Sequence, residues 1–66
     1  MPIVTIQITD ENVSEKQKLS LISECTDVLT RVLNKDPNTT FVVIDEVPMS
    51  NWGIGGTDVK TYRKSN

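Results

Sequence analysis

Met1-Pro2-Ile3-Val4-Thr5-Ile6-Gln7-Ile8-Thr9 is the stretch on which the reading of this chain turns. From Ile3 the run is β-branched and keeps the two-residue period of a strand. Val4, Ile6 and Ile8 share one face; Ile3, Thr5, Gln7 and Thr9 share the other. The first face is expected to meet a helix, and the half-polar second face to meet solvent or another subunit. Pro2 is small enough for Met1 to be trimmed. The mature chain then opens on a secondary amine, a proton acceptor fixed in a rigid ring at the head of a strand. With Met1 retained, that nitrogen is an amide and no base.

Outward from this strand, Asp10-Glu11-Asn12-Val13 is a polar loop and Ser14 opens a helix. Ser14 and Gln17 have capping-box spacing, and Glu15 puts negative charge in the first turn. Leu21, Ile22, Cys25, Val28, Leu29, Val32 and Leu33 recur with helical periodicity and predict one wide buried stripe, with Glu24, Asp27 and Arg31 on the wet side. The helix is expected from about residue 15 to 33, roughly 28 Å at 1.5 Å per residue. Asn34 serves as C-cap, and Pro37 forbids continuation. Thr39 to Val47 reads as a second strand. Its unbroken apolar run Phe41 to Ile44 predicts cover on both faces. A strand, a long helix and a strand make a right-handed crossover with the strands parallel. Pro48 ends pairing. Met49 to Gly56 is a glycine-rich turn carrying the single tryptophan. Thr57 to Tyr62 is expected to form a short strand or hairpin arm, and Lys60, Arg63 and Lys64 a basic tail. The fold class is α+β, with residues 1–66 as a single domain.

A domain of 66 residues buries only about 60% of its unfolded surface and is marginal alone. One cysteine and no histidine exclude an intrachain disulfide and argue against a zinc site. Self-association is therefore the expected route to stability. The net charge of −2, with basic and acidic residues interspersed, argues against nucleic-acid binding. No apolar run is long enough for a membrane span, and no signal peptide is recognisable. The lone thiol fits a reducing compartment, so a soluble cytoplasmic protein is expected.

The chemistry centres on Pro2. A free α-amino group is about half protonated near pH 8, and burial or a nearby cation lowers its affinity for the proton. Trp52 is the candidate dry wall; Arg63 and then Lys60 are the candidate cations. Asp45 and Glu46, at the end of the second strand, are candidates for orienting a water. Tyr62 is a candidate hydrogen-bond donor. Cys25 lies on the apolar stripe and is expected to be inert. Gly53-Ile54-Gly55-Gly56 lacks the strand–helix context and the lysine of a nucleotide loop; its glycines permit tight turns.

Pro2-Ile3-Val4-Thr5-Ile6, Glu15-Lys16-Gln17-Lys18, Phe41-Val42-Val43-Ile44-Asp45-Glu46-Val47 and Asn51-Trp52-Gly53-Ile54-Gly55-Gly56 together resemble the 4-oxalocrotonate tautomerase family, in order and over nearly the whole chain. The resemblance implies a β-α-β subunit with a short C-terminal hairpin, dimers whose sheets join, and often three such dimers in a hexamer. It implies a cofactor-independent isomerase in which Pro2 moves a proton in a small enol, dienol or 2-keto acid. The best-known members of that family carry one arginine in the loop after the first strand, where this chain has Asn12 and Val13 with one extra residue. They carry a second early in the next strand, where this chain has Phe41. Trp52 aligns with the family's active-site aromatic. Arg63 and Lys60 are the candidates to replace the missing cations. Two further readings stand beside the tautomerase. One is a hydratase or dehalogenase-like enzyme, with protonated Pro2 as acid and Asp45 or Glu46 activating water. The other is a non-catalytic oligomeric module.

Overall fold

The parallel pair of β1 (Ile3–Thr9) and β2 (Phe41–Val47) organises the computed structural model, which describes residues 1–65. Their register is unbroken, from Ile3 opposite Phe41 to Thr9 opposite Val47. It continues at both ends: Phe41 N–H donates to the Pro2 carbonyl at 3.0 Å, and Asp10 N–H to the Val47 carbonyl at 2.8 Å. The crossover between them is α1 (Glu15–Leu33).

The capping box forms as its spacing predicts. Ser14 Oγ accepts from Gln17 N–H at 3.1 Å, and Gln17 Oε1 accepts from Ser14 N–H at 2.9 Å. Asn34 closes the helix in the left-handed conformation, φ 54°, which asparagine tolerates better than most residues. Asn12 takes the same conformation, φ 63°, in the β1–α1 loop. The second strand starts two residues later than expected. Asp36 instead caps a 3₁₀ turn at Pro37–Thr39, accepting from Asn38 N–H at 2.9 Å.

Val4, Ile6 and Ile8 of β1 are half-buried on one face, with Val42 and Ile44 of β2 beside them. The opposite face is open: Ile3 is 63% exposed, Phe41 49% and Val43 47%. The expectation of cover on both faces of β2 therefore fails within one chain. So does the buried stripe of α1. Leu21, Cys25 and Leu29 are half-buried, whereas Ile22, Val28, Val32 and Leu33 remain exposed. Two strands are too narrow a platform for a 19-residue helix.

Beyond β2, a 3₁₀ turn at Met49–Asn51 leads to Trp52 and to a two-residue hairpin, β3 (Gly53–Ile54) and β4 (Thr57–Asp58). Gly55 and Gly56 form its turn with φ of 60° and 84°, which glycine adopts without steric cost. The expected hairpin arm over Thr57 to Tyr62 ends after Asp58. Residues 59–65 are helical instead, as α2 (Val59–Ser65). Asp58 is the cause: its carboxylate accepts from Thr61 N–H at 3.0 Å and from Thr61 Oγ1 at 2.6 Å, as an N-cap does. Val59 is buried, 6% exposed, and its N–H donates to the Trp52 carbonyl at 2.8 Å.

Candidate active site

Pro2 lies half-buried at the head of the sheet, with its carbonyl fixed by Phe41. Met1 beyond it is 84% exposed. Trp52 lies at the other end of the strands. It is half-buried and lines a hollow of about 250 Å³ with Gln7, Val47, Asn51 and Gly53. A seven-residue strand spans roughly 20 Å at about 3.3 Å per residue. The indole of one chain therefore does not wall off the proline of the same chain. The expectation that Trp52 encloses Pro2 fails within a single copy, because the register of β1 and β2 holds their positions apart.

Arg63 gathers at the Trp52 end. Its Nη1 donates to Glu11 Oε1 at 2.5 Å, and its Nη2 to Glu11 Oε2 at 3.4 Å. The Thr9 hydroxyl donates to Glu11 Oε2 as well. Arg63 Nη1 also reaches Met49 Sδ at 4.0 Å, in the turn whose Met49 carbonyl accepts from Trp52 N–H at 3.3 Å. Hydrogen bonding to Arg63, and then to Thr9, holds the Glu11 carboxyl below the usual glutamate range; Glu11 in turn raises the Arg63 guanidinium. Both are ionised at neutral pH. The expected solvated basic tail is thus a helix, and one of its cations is paired. Lys60 lies on α2 one turn before Arg63 and is exposed.

The two acids of β2 part ways. Glu46 pairs with Lys18 of α1, on the helix side of the sheet, and its hydrogen bond raises the Lys18 ammonium. Asp45 lies on the open face, where it accepts from Gln7 Nε2 at 3.3 Å. Tyr62 packs over the hairpin: a Cβ placed on Gly55 would meet its ring at 3.3 Å. Cys25 is a free, half-buried thiol. A larger open groove of about 510 Å³, lined by Ile8, Val13 and Leu21 with Lys16, Gln17 and Glu24 among others, holds none of the candidate residues. Among the described residues, no group of three or more His, Cys, Asp or Glu is placed to hold a metal ion, and no helix is long and apolar enough to cross a membrane.

Sequence reasoning missed Glu11, which is 52 positions from its partner Arg63 and stands in a loop with no periodicity. It also missed the amides of Gln7 and Asn51 beside Trp52. Gln7 carries a signal in retrospect, as a polar residue within an otherwise β-branched strand.

The family model described as "Tautomerase enzyme" matches residues 2–62, nearly the whole chain. The chain belongs to the tautomerase family. Relatives agree. The "probable tautomerase" K2 of Dickeya dadantii is 48% identical over 64 residues, covering 97% of this chain and 96% of that one. The 2-hydroxymuconate tautomerase of Stutzerimonas stutzeri is 38% identical over 60 residues, covering 91% and 94%. The crystal structure of DmpI from Helicobacter pylori superposes with a TM-score of 0.89 at 37% identity, covering 98% of this chain and 100% of that one. The β-α-β subunit with its C-terminal hairpin is thus the tautomerase fold.

Proposed function

We propose that this tautomerase is a cofactor-independent keto–enol isomerase, residues 1–66 acting as one domain, and that the nitrogen of Pro2 is its general base after Met1 is removed. The observation that carries the reading is the place of Pro2 in a chain of this family. Its carbonyl is pinned into the ladder by Phe41 while the exposed Met1 extends beyond the sheet. Trimming Met1 therefore frees the ring nitrogen without breaking a strand bond. The base takes the enol hydroxyl proton, the O–H electrons form the carbonyl, and the carbon–carbon double bond shifts its electrons to the carbon that the proton then joins. Nothing is oxidised or consumed. Substrates are small enol, dienol or 2-keto acids.

Trp52 enters from a second copy in this reading. A two-fold axis normal to the sheet reverses strand direction, so the Pro2 end of one chain meets the Trp52 end of the other. The open face with Ile3, Phe41 and Val43 is apolar surface of the kind that association covers. The homo-oligomer is a dimer or a trimer of such dimers, and the indole supplies the dry wall that lowers the amine's proton affinity. Arg63, which reaches Met49 in the turn before Trp52, and Lys60, one turn earlier on α2, are the candidate cations of that end of the sheet. Lys60 is the candidate to face substrate charge directly, since the Arg63 guanidinium is paired with Glu11.

The test is conversion of an aryl enolpyruvate to its keto form by wild type and Pro2→Ala, with the intact mass of each protein measured. Loss of Met1 and a rate drop of about 10²-fold or more are expected. Equal rates leave a non-catalytic module. The hydratase-like alternative draws on Asp45, since Glu46 is engaged by Lys18. It requires the rate to fall as the amine deprotonates, the reverse of the profile expected here.

A further inference from the structure

We infer that Glu11 is a specificity-determining residue: by closing the Arg63 guanidinium into a two-armed pair at the Trp52 end of the sheet, it turns the site toward substrates with one carboxylate and against those with two. This rests on the proton-shuttle reading above and adds the substrate class. The position comes first. Glu11 lies two residues beyond β1 and Arg63 lies on α2; Arg63 pairs with Glu11 and reaches Met49 Sδ in the Met49–Asn51 turn that leads into Trp52. The pair is thus joined to the element that holds the indole.

The charge comes next. A free guanidinium presents a planar fork that fits a carboxylate in two-armed fashion. Here both Nη atoms of that fork are directed at Glu11. The Thr9 hydroxyl holds the second Glu11 oxygen, so the carboxylate is anchored from two sides. The pair sums to zero charge. The hollow at the same end of the sheet, linked to the pair through the Met49–Asn51 turn, is lined by Gln7, Val47, Asn51, Trp52 and Gly53, none of them ionisable. Asp45, which accepts from the Gln7 amide, adds a negative charge that repels an incoming anion. A distal carboxylate gains the end-on Nη1–Nη2 fork only by displacing Glu11, and on the side-on edge it meets a guanidinium whose charge Glu11 already offsets. The displacement exchanges one carboxylate for another and strands Glu11 beside the intruder. An uncharged distal end meets no such conflict, because amide and indole contacts suffice. The pair itself holds the Glu11 carboxyl below its ordinary range and raises the Arg63 guanidinium, so both partners carry their charges at neutral pH.

The experiment compares kcat and KM for a 2-hydroxydienedioate and for its analogue lacking the distal carboxylate, using wild type, Glu11→Gln, Arg63→Gln and the double variant. The oligomeric state of each is checked by sedimentation. Glu11→Gln is expected to raise the diacid-to-monoacid ratio of kcat/KM about ten-fold or more, through KM of the diacid, as one charge-assisted hydrogen bond gained by the ligand implies. Arg63→Gln alone should give no such gain, and the double variant should lose it. An unchanged ratio in Glu11→Gln, with turnover still abolished by Pro2→Ala, overturns the Glu11 assignment and leaves the proton shuttle intact. An equal rise in KM for both acids in Arg63→Gln overturns it as well, since Arg63 would then anchor substrate while still paired. Turnover that ignores Pro2→Ala removes the underlying reading instead.

Discussion

Ser14 shows how much one side chain decides. Its hydroxyl satisfies an N–H that the first turn of α1 leaves without a partner, and Gln17 returns the bond. Ser14→Ala is expected to cost about 1 kcal/mol, read as a urea midpoint shift at fixed protein concentration. Gly55 and Gly56 make a sharper comparison. Both sit at positive φ, so alanine at either adds about 1–2 kcal/mol of backbone strain. Only at Gly55 does the new Cβ also press on the Tyr62 ring at 3.3 Å; at Gly56 nothing lies within 4 Å. Gly55→Ala should therefore melt below Gly56→Ala, and the reverse order would show that the ring yields freely. The caps were legible because their signal is local: Ser14 and Gln17 stand three apart, and Asn34 precedes Pro37. The Glu11–Arg63 pair was not, because only the docking of α2 brings these two positions together.

Among the elements, local period and tertiary placement pull apart. β1 and α1 fall within the bounds that their periodicity predicts, since each repeats its pattern for several turns or pleats. α2 does not: Val59, Thr61 and Tyr62 have strand propensity, and the helix exists because Asp58 caps it and Val59 is buried under the Trp52 turn. Ion pairs then link elements, and each has a pH window. Lys18 joins α1 to β2 through Glu46, and its folded proton affinity is raised. Its contribution is complete below the unfolded lysine value of about 10.4 and fades as pH rises through the higher folded value. Glu11 and Asp58 are lowered, by Arg63 and by Thr61 respectively. Their contributions are complete above the ordinary carboxyl range near 4 and fade as pH falls through the lower folded values. These three groups should thus add no pH slope between those limits. Denaturant midpoints across pH should show Glu11→Gln with a shallower acid limb and Lys18→Met with a shallower alkaline one. Solvent exposure keeps both effects small.

At the scale of the whole molecule the chain is thin. Its radius of gyration is 15.2 Å, against about 11 Å for a compact domain of this length, and Val59 is the one buried hydrophobic residue described. Such a chain gains its core by association, so its stability should rise with protein concentration. Ile6 is half-buried beside Ile44 in the register. Ile6→Asp should dissociate or unfold the protein, an unpaired buried charge costing several kcal/mol; a stable oligomer of native size would mean that the core face is misplaced. The proposed two-fold arrangement has a consequence that no single-chain site shares. Under the proposed mechanism, Pro2→Ala and Trp52→Ala are each expected to disable every site when alone. In a mixed dimer, one site takes its proline from the Trp52→Ala chain and its indole from the Pro2→Ala chain, and is whole. Equal mixing after unfolding and refolding makes half the dimers mixed, with one intact site of two. Activity should return to about one quarter of wild type on this symmetry. A mixture no more active than the sum of its parts would place both residues of each site on one chain, against the roughly 20 Å of strand that separates them.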